Sequence, residues 1–207
     1  ILEQIAPSGK LIALDQDINA ISYLKKKFIT ELRQKQIELY HLPFNKLAEL
    51  TSVQKNRGKI SAIFADIGVS SPQLDSPTRG FTFRYDAPLD MRMDPDKNPE
   101  TAADFVNTAS QETLTKIFFE FGEEPKARQI AKHICLARVE NKILTTSQLV
   151  SIINLALPYS KKSKKHPATK VFQALRIYIN KELEQLETLL ENSLDLLKPQ
   201  GRIAIIT

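Results

Sequence analysis

The sequence predicts an α/β protein with a doubly wound, Rossmann-like parallel sheet and an inserted all-helical subdomain. Apolar runs that end in an acid, at residues 10–15 and 59–67, are typical of strands buried on both faces of a parallel sheet. Helical spacing of apolar residues over 17–28 separates them. After residue 100, four helical segments follow one another with no strand between them. Consecutive helices of this kind do not belong to a repeated strand–helix–strand unit and indicate an insertion.

The first part of the chain alternates strands and helices. A second strand is expected at 37–41, and a short helix carries Leu47 and Leu50. Strand, helix, strand, helix, strand is the order of a doubly wound sheet. Because the crossovers are right-handed, the carboxyl ends of the strands lie at one edge, where ligands bind.

Residues 68–100 have no steady period, and a stretch of this length in a compact domain usually forms a functional loop. Helical patterns return at 102–108, 111–121, 124–139 and 146–157. One helix of about thirty residues is expected over 168–197, followed by a strand at 202–207. The predicted organisation is a methyltransferase-type sheet domain in two parts, 1–98 and 167–207, with an inserted helical subdomain over 99–166.

Composition restricts the class of protein. The 42% hydrophobic and 26% charged residues are normal for a soluble globular chain. No apolar run approaches the ~18 residues of a membrane span, and the start of the chain does not resemble a signal peptide. A single cysteine, Cys135, excludes an internal disulfide and a thiolate metal cluster. We therefore expect a cytoplasmic protein with no membrane association and no metal.

The net charge of +5 comes from one region. Residues 97–170 hold 12 Lys and Arg against 7 Asp and Glu, whereas the rest of the chain is balanced. This excess indicates an anionic partner or a well-solvated helical surface. The same two interpretations apply to a basic run that offers contacts to RNA phosphates, namely Lys161, Lys162, Lys164, Lys165 and His166.

Asp15 is the first candidate site residue. An acid at the carboxyl end of a strand in a nucleotide-binding sheet accepts hydrogen bonds from ribose hydroxyls. The alternative is that Asp15, like Asp17, caps the helix that follows.

The second candidate is the segment from Asp66 to Gln73, where an acid at a strand end precedes Gly68 and a Ser-Ser-Pro turn. Chemistry on an exocyclic amine needs acceptors that point at its N–H groups, so that the nitrogen lone pair faces the electrophile. The carboxylate and the carbonyls of a rigid turn supply such acceptors. The alternative is a simple helix cap or turn.

The residues that follow resemble a known family, the bacterial 16S rRNA cytosine-N4 methyltransferases of the small-subunit methyltransferase H type. The resemblance covers the whole chain and is carried by five motifs. These are Asp66-x-Gly68-Val69-Ser70-Ser71-Pro72-Gln73-Leu74-Asp75, Arg79-Gly80-Phe81-x-Phe83-Arg84-x-Asp86-x-Pro88-Leu89-Asp90-Met91-Arg92-Met93-Asp94, Gly122-Glu123-Glu124 with Ala127-Arg128-x-Ile130-Ala131, His166-Pro167-Ala168-Thr169, and Phe172-Gln173-Ala174-x-Arg176-Ile177 with Asn180-x-Glu182-Leu183.

The resemblance implies an S-adenosylmethionine-dependent enzyme that methylates N4 of a cytidine in 16S rRNA of the small ribosomal subunit, at the decoding centre. It implies cofactor contacts at Asp15, Phe44, Asp66 and Gln73. Without the resemblance, Phe44 would be interpreted as a core aromatic. The catalytic residues are expected to be Asp66, Ser70, Ser71 and Pro72, and no general base is assigned.

Arg79, Arg84 and Arg92 have two interpretations. They line an RNA cleft, or they pair with Asp75, Asp86, Asp90 and Asp94 inside a structured loop.

Members of the family begin with a strand and a Gly-rich loop and continue beyond the last strand present here. We therefore expect this chain to be an internal fragment that is inactive by itself. Two other function classes stay open at this point. They are an oxidoreductase that uses a nicotinamide cofactor and a non-catalytic RNA-binding module.

Overall fold

The computed structural model describes residues 1–157 and 166–206. These residues form two compact units. The first unit contains Ile1–Ile67 and the end of the chain from Leu183, and the second unit contains Gly68–Glu182. The second unit includes the predicted insertion, and whether residues 99–166 form a subdomain of their own stays a prediction.

The first unit mixes short helices with four strands. Its elements at 11–15, 18–27, 37–41 and 60–66 lie within two residues of their predicted positions, whereas three short helices were not predicted and the last strand begins five residues before the predicted 202. In chain order the elements of this unit are α1 (Leu2–Ile5), β1 (Leu11–Asp15), α2 (Ile18–Lys27), α3 (Ile29–Arg33), β2 (Ile37–His41), a 3-10 helix (Phe44–Glu49), α4 (Thr51–Gln54) and β3 (Ile60–Asp66), with α11 (Glu182–Leu196) and β4 (Leu197–Ile206) from the end of the chain.

Both strand pairs of the first unit are parallel. β1 pairs with β2 from Leu11↔Ile37 to Asp15↔His41. β3 pairs with β4 from Ala62↔Arg202 to Asp66↔Ile206, after an irregularity near the start of β4. Within the described residues these are two separate two-stranded sheets. The mixed α/β class with parallel pairing is therefore present, whereas one continuous doubly wound sheet is not formed by these residues alone.

The β3–β4 pair has one buried face. Ile63 and Ala65 join a small core with Leu189 and Leu196, while Phe64 on the other face is 51% exposed. The prediction that β3 is buried on both faces is therefore wrong for the described residues. The sequence did not reveal that buried and exposed positions alternate along β3, because apolar residues lie on both of its faces.

The second unit is helical and has the larger core. Its elements are α5 (Ser71–Asp75), α6 (Ala102–Thr108), α7 (Gln111–Glu120), α8 (Ala127–Glu140), α9 (Thr146–Ala156) and α10 (Ala168–Ile179). Fully buried residues from α7, α9 and α10, such as Phe118, Leu149 and Leu175, share this core with Leu89 and Met91 of the long loop. The loop between α5 and α6 is therefore anchored in the helical core.

The helix predicted over 168–197 is two helices. α10 ends at Ile179 and α11 begins at Glu182. Lys181 adopts a left-handed backbone conformation with φ of 51°, which does not continue a helix. The apolar spacing runs through this break without interruption, so the pattern could not reveal it.

The described ranges contain no helix that is both long and apolar enough to span a membrane.

Candidate functional site

Asp15 is the last residue of β1 and lies beside His41, the last residue of β2. The backbone N–H of Asp17 donates to Oδ1 of Asp15 at 2.7 Å. Asp17 itself caps α2 and accepts from the backbone N–H of Asn19 at 2.9 Å. The capping role that the sequence left open thus belongs to Asp17. The hydrogen bond to Asp15 forms the turn between strand and helix.

The carboxyl group of Asp15 is half-buried, and burial raises its pKa above the ordinary value. The Asp17 backbone N–H opposes this increase, the Asp17 carboxylate adds to it, and His41 makes the smallest contribution and lowers the pKa. Among the described residues, no hydrogen bond is recorded to the second oxygen, Oδ2. A desolvated carboxylate with an oxygen still available is suited to accept hydrogen bonds from hydroxyl groups.

Phe44 begins the 3-10 helix that follows β2, and this helix contacts β1. Its ring is half-buried against the core of the first unit, so the core interpretation accounts for part of its role. The next residue, Asn45, was not identified from the sequence. Its side-chain oxygen is buried and has no hydrogen-bond partner among the described residues. A buried acceptor of this kind requires a donor from elsewhere.

Asp66 is the last residue of β3 and pairs with Ile206 of β4. Its side chain is exposed. The strand therefore holds the backbone of Asp66 in a fixed position while the carboxylate stays accessible, as the prediction of a strand-end acceptor requires.

The Ser-Ser-Pro-Gln turn begins α5 with a reciprocal cap. The hydroxyl of Ser70 accepts from the backbone at Gln73, and Oε1 of Gln73 accepts from the backbone N–H of Ser70 at 2.9 Å. The helix-cap interpretation is thus present in the structure. Ser71 and Pro72 are exposed at the first turn, whereas Gln73 is buried. Contact of Gln73 with a cofactor stays a prediction, and its side-chain oxygen already has a partner.

Gly68 precedes this turn with φ of 110°, a conformation that favours glycine. A Cβ at this position would lie 3.7 Å from the guanidinium of Arg176. Arg176 donates to both carboxylate oxygens of Glu182, at 2.7 and 3.0 Å. Burial raises the pKa of the Glu182 carboxyl group, and Arg176 opposes that increase. A buried ion pair therefore lies next to the turn.

Asn180 holds the signature loop, which we define as residues 76–98. Its amide donates to the carbonyl of Met91 at 2.8 Å and accepts from the backbone N–H of Met93 at 2.7 Å. Met91 has a left-handed backbone with φ of 63° and is fully buried. The structure thus gives a physical role to Asn180, which the sequence presented only as part of a motif.

Arg92 lies in the signature loop and pairs with Asp90. Its guanidinium donates to both Asp90 oxygens at 2.8 Å and to the carbonyl of Asn98 at 3.0 Å. Burial opposes ionisation of Asp90, but the hydrogen bonds from Arg92 outweigh it and hold the pKa of Asp90 below its ordinary value. For Arg92, the ion-pair interpretation is present in the structure.

Arg79 is also bound within this loop. It donates to the carbonyls of Arg92 and Met93 at 3.1 and 3.2 Å. Arg84 differs, because its side chain is exposed and no partner is recorded for it among the described residues. RNA contact by all three stays a prediction, with the guanidinium of Arg84 the most accessible.

The predicted RNA-binding residues Lys161, Lys162, Lys164 and Lys165 lie outside the described residues. His166 is described, and its Nδ1 accepts from the backbone N–H of Ala168 at 3.1 Å. Its ring lies 5.1 Å from that of Phe83. His166 therefore helps to begin α10. Among residues 1–157 and 166–206, no three His, Cys, Asp or Glu side chains gather as a metal ion requires.

Comparison with known proteins extends over the whole chain. The model of the MraW methylase family matches residues 1–207. Proteins called ribosomal RNA small subunit methyltransferase H are similar over all 207 residues: that of Fusobacterium nucleatum is 46% identical, and those of Shewanella loihica and Legionella pneumophila are each 44% identical. The chain spans 64%, 64% and 66% of the length of these relatives. The match to the family model over the full chain shows that this protein belongs to the MraW methylase family.

Proposed function

We propose that the protein is an S-adenosylmethionine-dependent methyltransferase that acts on N4 of a cytidine in 16S rRNA of the small ribosomal subunit. The match of all 207 residues to the MraW methylase family carries this proposal. The names of the relatives, which specify ribosomal RNA of the small subunit, support the choice of substrate. Because the chain spans about two thirds of these relatives, the activity is proposed for the complete protein, acting in the cytoplasm.

The residues of the first unit fit the adenosine part of the cofactor. When bound, S-adenosylmethionine supplies a methyl group on a positively charged sulfur. Asp15 accepts hydrogen bonds from ribose hydroxyls through the oxygen that the turn leaves available. Phe44 offers an apolar surface, and the buried oxygen of Asn45 accepts from a donor on the ligand. In this proposal Gln73 binds the cofactor through its amide group.

Asp66, Ser70, Ser71 and Pro72 act on the cytosine amine. The exposed carboxylate of Asp66 and the carbonyls of the Ser70–Pro72 turn accept from the N–H groups of N4, which turns the nitrogen lone pair toward the methyl donor. The carbonyls of Ser70 and Pro72 would do so in addition to the backbone N–H groups that they already bind. The bond from N4 to the methyl carbon would form as the methyl–sulfur bond breaks, with S-adenosylhomocysteine as the leaving group, and one N4 proton would then pass to water. No general base is assigned, so positioning supplies much of the rate enhancement. The target base must be unpaired or flipped out of its stack for N4 to be reached.

The proposed fold is one doubly wound sheet with an inserted helical subdomain over residues 99–166. Both observed strand pairs are parallel, as such a sheet requires. Within the described residues, β1 and β3 each pair on one edge only, so a further strand between them would complete the order. Helices on both faces of that sheet would cover Phe64. RNA contacts are proposed for Arg79, Arg84, Arg92 and for Lys161, Lys162, Lys164 and Lys165.

The experiment is methyl transfer to isolated small subunits that lack the modification. The complete protein is incubated with subunits and methyl-labelled S-adenosylmethionine, and the digested rRNA is separated into nucleosides. We expect label in N4-methylcytidine, at least a hundredfold less with Asp66→Ala, and no loss with the matched control Asp75→Ala. Label in another nucleoside would contradict the proposed target, and binding without transfer would favour a non-catalytic RNA-binding module. Stabilisation by NAD but not by S-adenosylhomocysteine would favour the oxidoreductase.

A further inference from the structure

Two cavities on the surface of the second unit differ in charge. One, of about 590 Å³, is lined by three basic residues, two amides and a proline. We call it the basic cavity, and its lining residues are Gln111, Pro125, Lys126, Arg128, Gln129 and Lys132. The other, of about 480 Å³, has two carboxylates and one basic residue in its lining, namely Asp86, Glu140 and Lys142. Three of the 12 basic residues of 97–170 thus line one of the two cavities, which has no carboxylate in its lining.

Helix α8 determines which residues line the basic cavity. Ala127, Ile130 and Ile134 face the core of the second unit and are almost fully buried. Arg128 and Lys132, four residues apart, lie on the exposed face about 6 Å from each other along the helix axis. The heptad-like apolar spacing of α8 therefore places two cations side by side on the solvent face.

The cations of the cavity are available to a ligand. Within the described part of the chain, no ion pair is recorded for Lys126, Arg128 or Lys132, and all three side chains are exposed. By contrast, the Gln129 amide donates to the carbonyl of Ala156 at 2.8 Å and is held in place. The cavity thus offers three exposed cations beside a glutamine that is held in place.

Two carboxylates near the cavity, those of Glu112 and Glu124, accept hydrogen bonds at the starts of α7 and α8. Glu112 accepts from its own backbone N–H and from Ser110, and these bonds, with a smaller attraction to Arg128, lower its pKa. Glu124 is 5% exposed and accepts from the backbone N–H of Lys126 at 2.9 Å. Neither residue lines the cavity. The lining of the cavity therefore has three positive charges and no negative charge, a composition that attracts anions.

We propose that the basic cavity binds the phosphodiester backbone of the substrate RNA, an inference that rests on the proposed function. Three cations and the Gln111 amide are donors suited to phosphate and ribose oxygens. No aromatic side chain lines the cavity to stack on a base. The contact therefore positions RNA and does not read its sequence.

The test replaces Lys126, Arg128 and Lys132 together by glutamine in the complete protein. Binding of 16S rRNA is measured from 0.05 to 0.5 M salt, and of an unrelated RNA of equal length as a second probe. Each lost phosphate contact lowers the slope of log affinity against log salt by about 0.7. We expect a slope smaller by about 2 for both RNAs and roughly tenfold to a hundredfold weaker binding at 0.1 M salt.

The matched control removes three charges elsewhere, with Lys25, Lys26 and Lys27 of α2 changed to glutamine. The inference requires that this control keep the wild-type slope. It also requires that the cavity variant bind S-adenosylhomocysteine normally and retain its kcat at saturating subunits, with only KM raised. If the triple variant does not fold, Arg128→Gln alone should lower the slope by about 0.7.

An unchanged slope in the cavity variant would show that the basic cavity is only a solvated surface. An equal decrease of the salt slope in the α2 control would show that RNA is attracted by the net charge of the whole protein and not by the basic cavity. That result would also overturn the inference. Failure of the proposed function is separate from both outcomes, because it appears as wild-type protein that binds RNA and transfers no methyl group.

Discussion

In the first unit, Asp15 and Asp66 end two parallel strands, and each has a carboxylate oxygen to which no described residue donates a hydrogen bond. In the second unit, by contrast, two pairs of charged residues from the family motifs bind each other. Arg92 holds Asp90, and Arg176 holds Glu182. The difference indicates that the signature loop, which contains the longest family motif, has mainly a structural role. In the proposed function, the chemistry depends on a few residues at strand ends and on the exposed turn after Gly68.

The largest effect is expected from the buried ion pair of the second unit. Arg176→Ala leaves the carboxylate of Glu182, only 5% exposed, without its partner. Breaking such a pair costs about 3–5 kcal/mol. We expect the free energy of unfolding, measured with urea at pH 7, to fall by at least about 3 kcal/mol.

The matched control is an ion pair of the first unit. Arg57 donates to Asp195 at 2.6 Å, and both side chains are more than half exposed. Arg57→Ala should lower the free energy of unfolding by less than about 1 kcal/mol. Equal decreases in the free energy of unfolding for Arg176→Ala and Arg57→Ala would contradict the contrast between the units.

The second effect tests the clamp on the signature loop. Asn180→Ala leaves the buried carbonyl of Met91 and the buried N–H of Met93 without this partner. Because each unsatisfied group costs about 1–3 kcal/mol, we expect a loss of about 2–4 kcal/mol in the free energy of unfolding. Asn56→Ala, which removes one local bond of an exposed side chain, should cost under about 1 kcal/mol. A small loss at Asn180 would mean that the loop does not need the clamp.

The third effect is a pH dependence of opposite sign in the two units. Burial raises the pKa of Asp15 above 3.8, so the folded protein retains this proton at a pH where the unfolded chain has lost it. The contribution of Asp15 to stability therefore decreases as pH rises through that range. The free energy of unfolding of Asp15→Asn, relative to wild type, should increase between pH 3.5 and pH 7.

Asp86 provides the opposite case. Hydrogen bonds from the hydroxyls of Ser147 and Thr145 lower its pKa, so its contribution to stability is present at neutral pH and is lost as pH falls through its folded-state pKa. Relative to wild type, Asp86→Asn should therefore become less stable as pH rises. The same trend in both variants would refute the assigned causes.

The smallest effect on stability is expected at Arg84. Its exposed side chain has no recorded partner in the described part of the chain, so Arg84→Gln should change the free energy of unfolding by less than about 0.5 kcal/mol. If Arg84 contacts an RNA phosphate, the salt slope for RNA binding falls by about 0.7. If the salt slope of Arg84→Gln equals that of the wild type, Arg84 does not contact an RNA phosphate.

The sequence predicted the local elements well, because their signals are local. Helix α6 lies where the apolar spacing places it, and β1 begins one residue later than predicted. The break at Lys181 was missed because the apolar spacing continues across it. Beside the break, Asn180 binds the backbone of a loop almost ninety residues earlier, a long-range contact that no local pattern reveals. Likewise, the orphan oxygen of Asn45 carries no sequence signal, because only tertiary packing buries it.

The site residues show the same limit. Asp15 and Asp66 were identified because an acid after an apolar run has a known place at the end of a strand. The division of roles among Arg79, Arg84 and Arg92 could not be predicted, since interleaved Arg and Asp are compatible with both ion pairs and RNA contacts. Distances within the folded loop were needed to separate them.

The most direct test of the central claim is the affinity for S-adenosylhomocysteine of the complete protein and its Asp15→Asn variant, measured by calorimetry at pH 7. Loss of a charge-assisted acceptor is worth about 1.5–3 kcal/mol, which corresponds to binding weaker by tenfold or more. We expect this loss for Asp15→Asn and wild-type affinity for the surface control Asp75→Asn. An unchanged affinity in Asp15→Asn would show that the carboxylate at the end of β1 does not hold the cofactor.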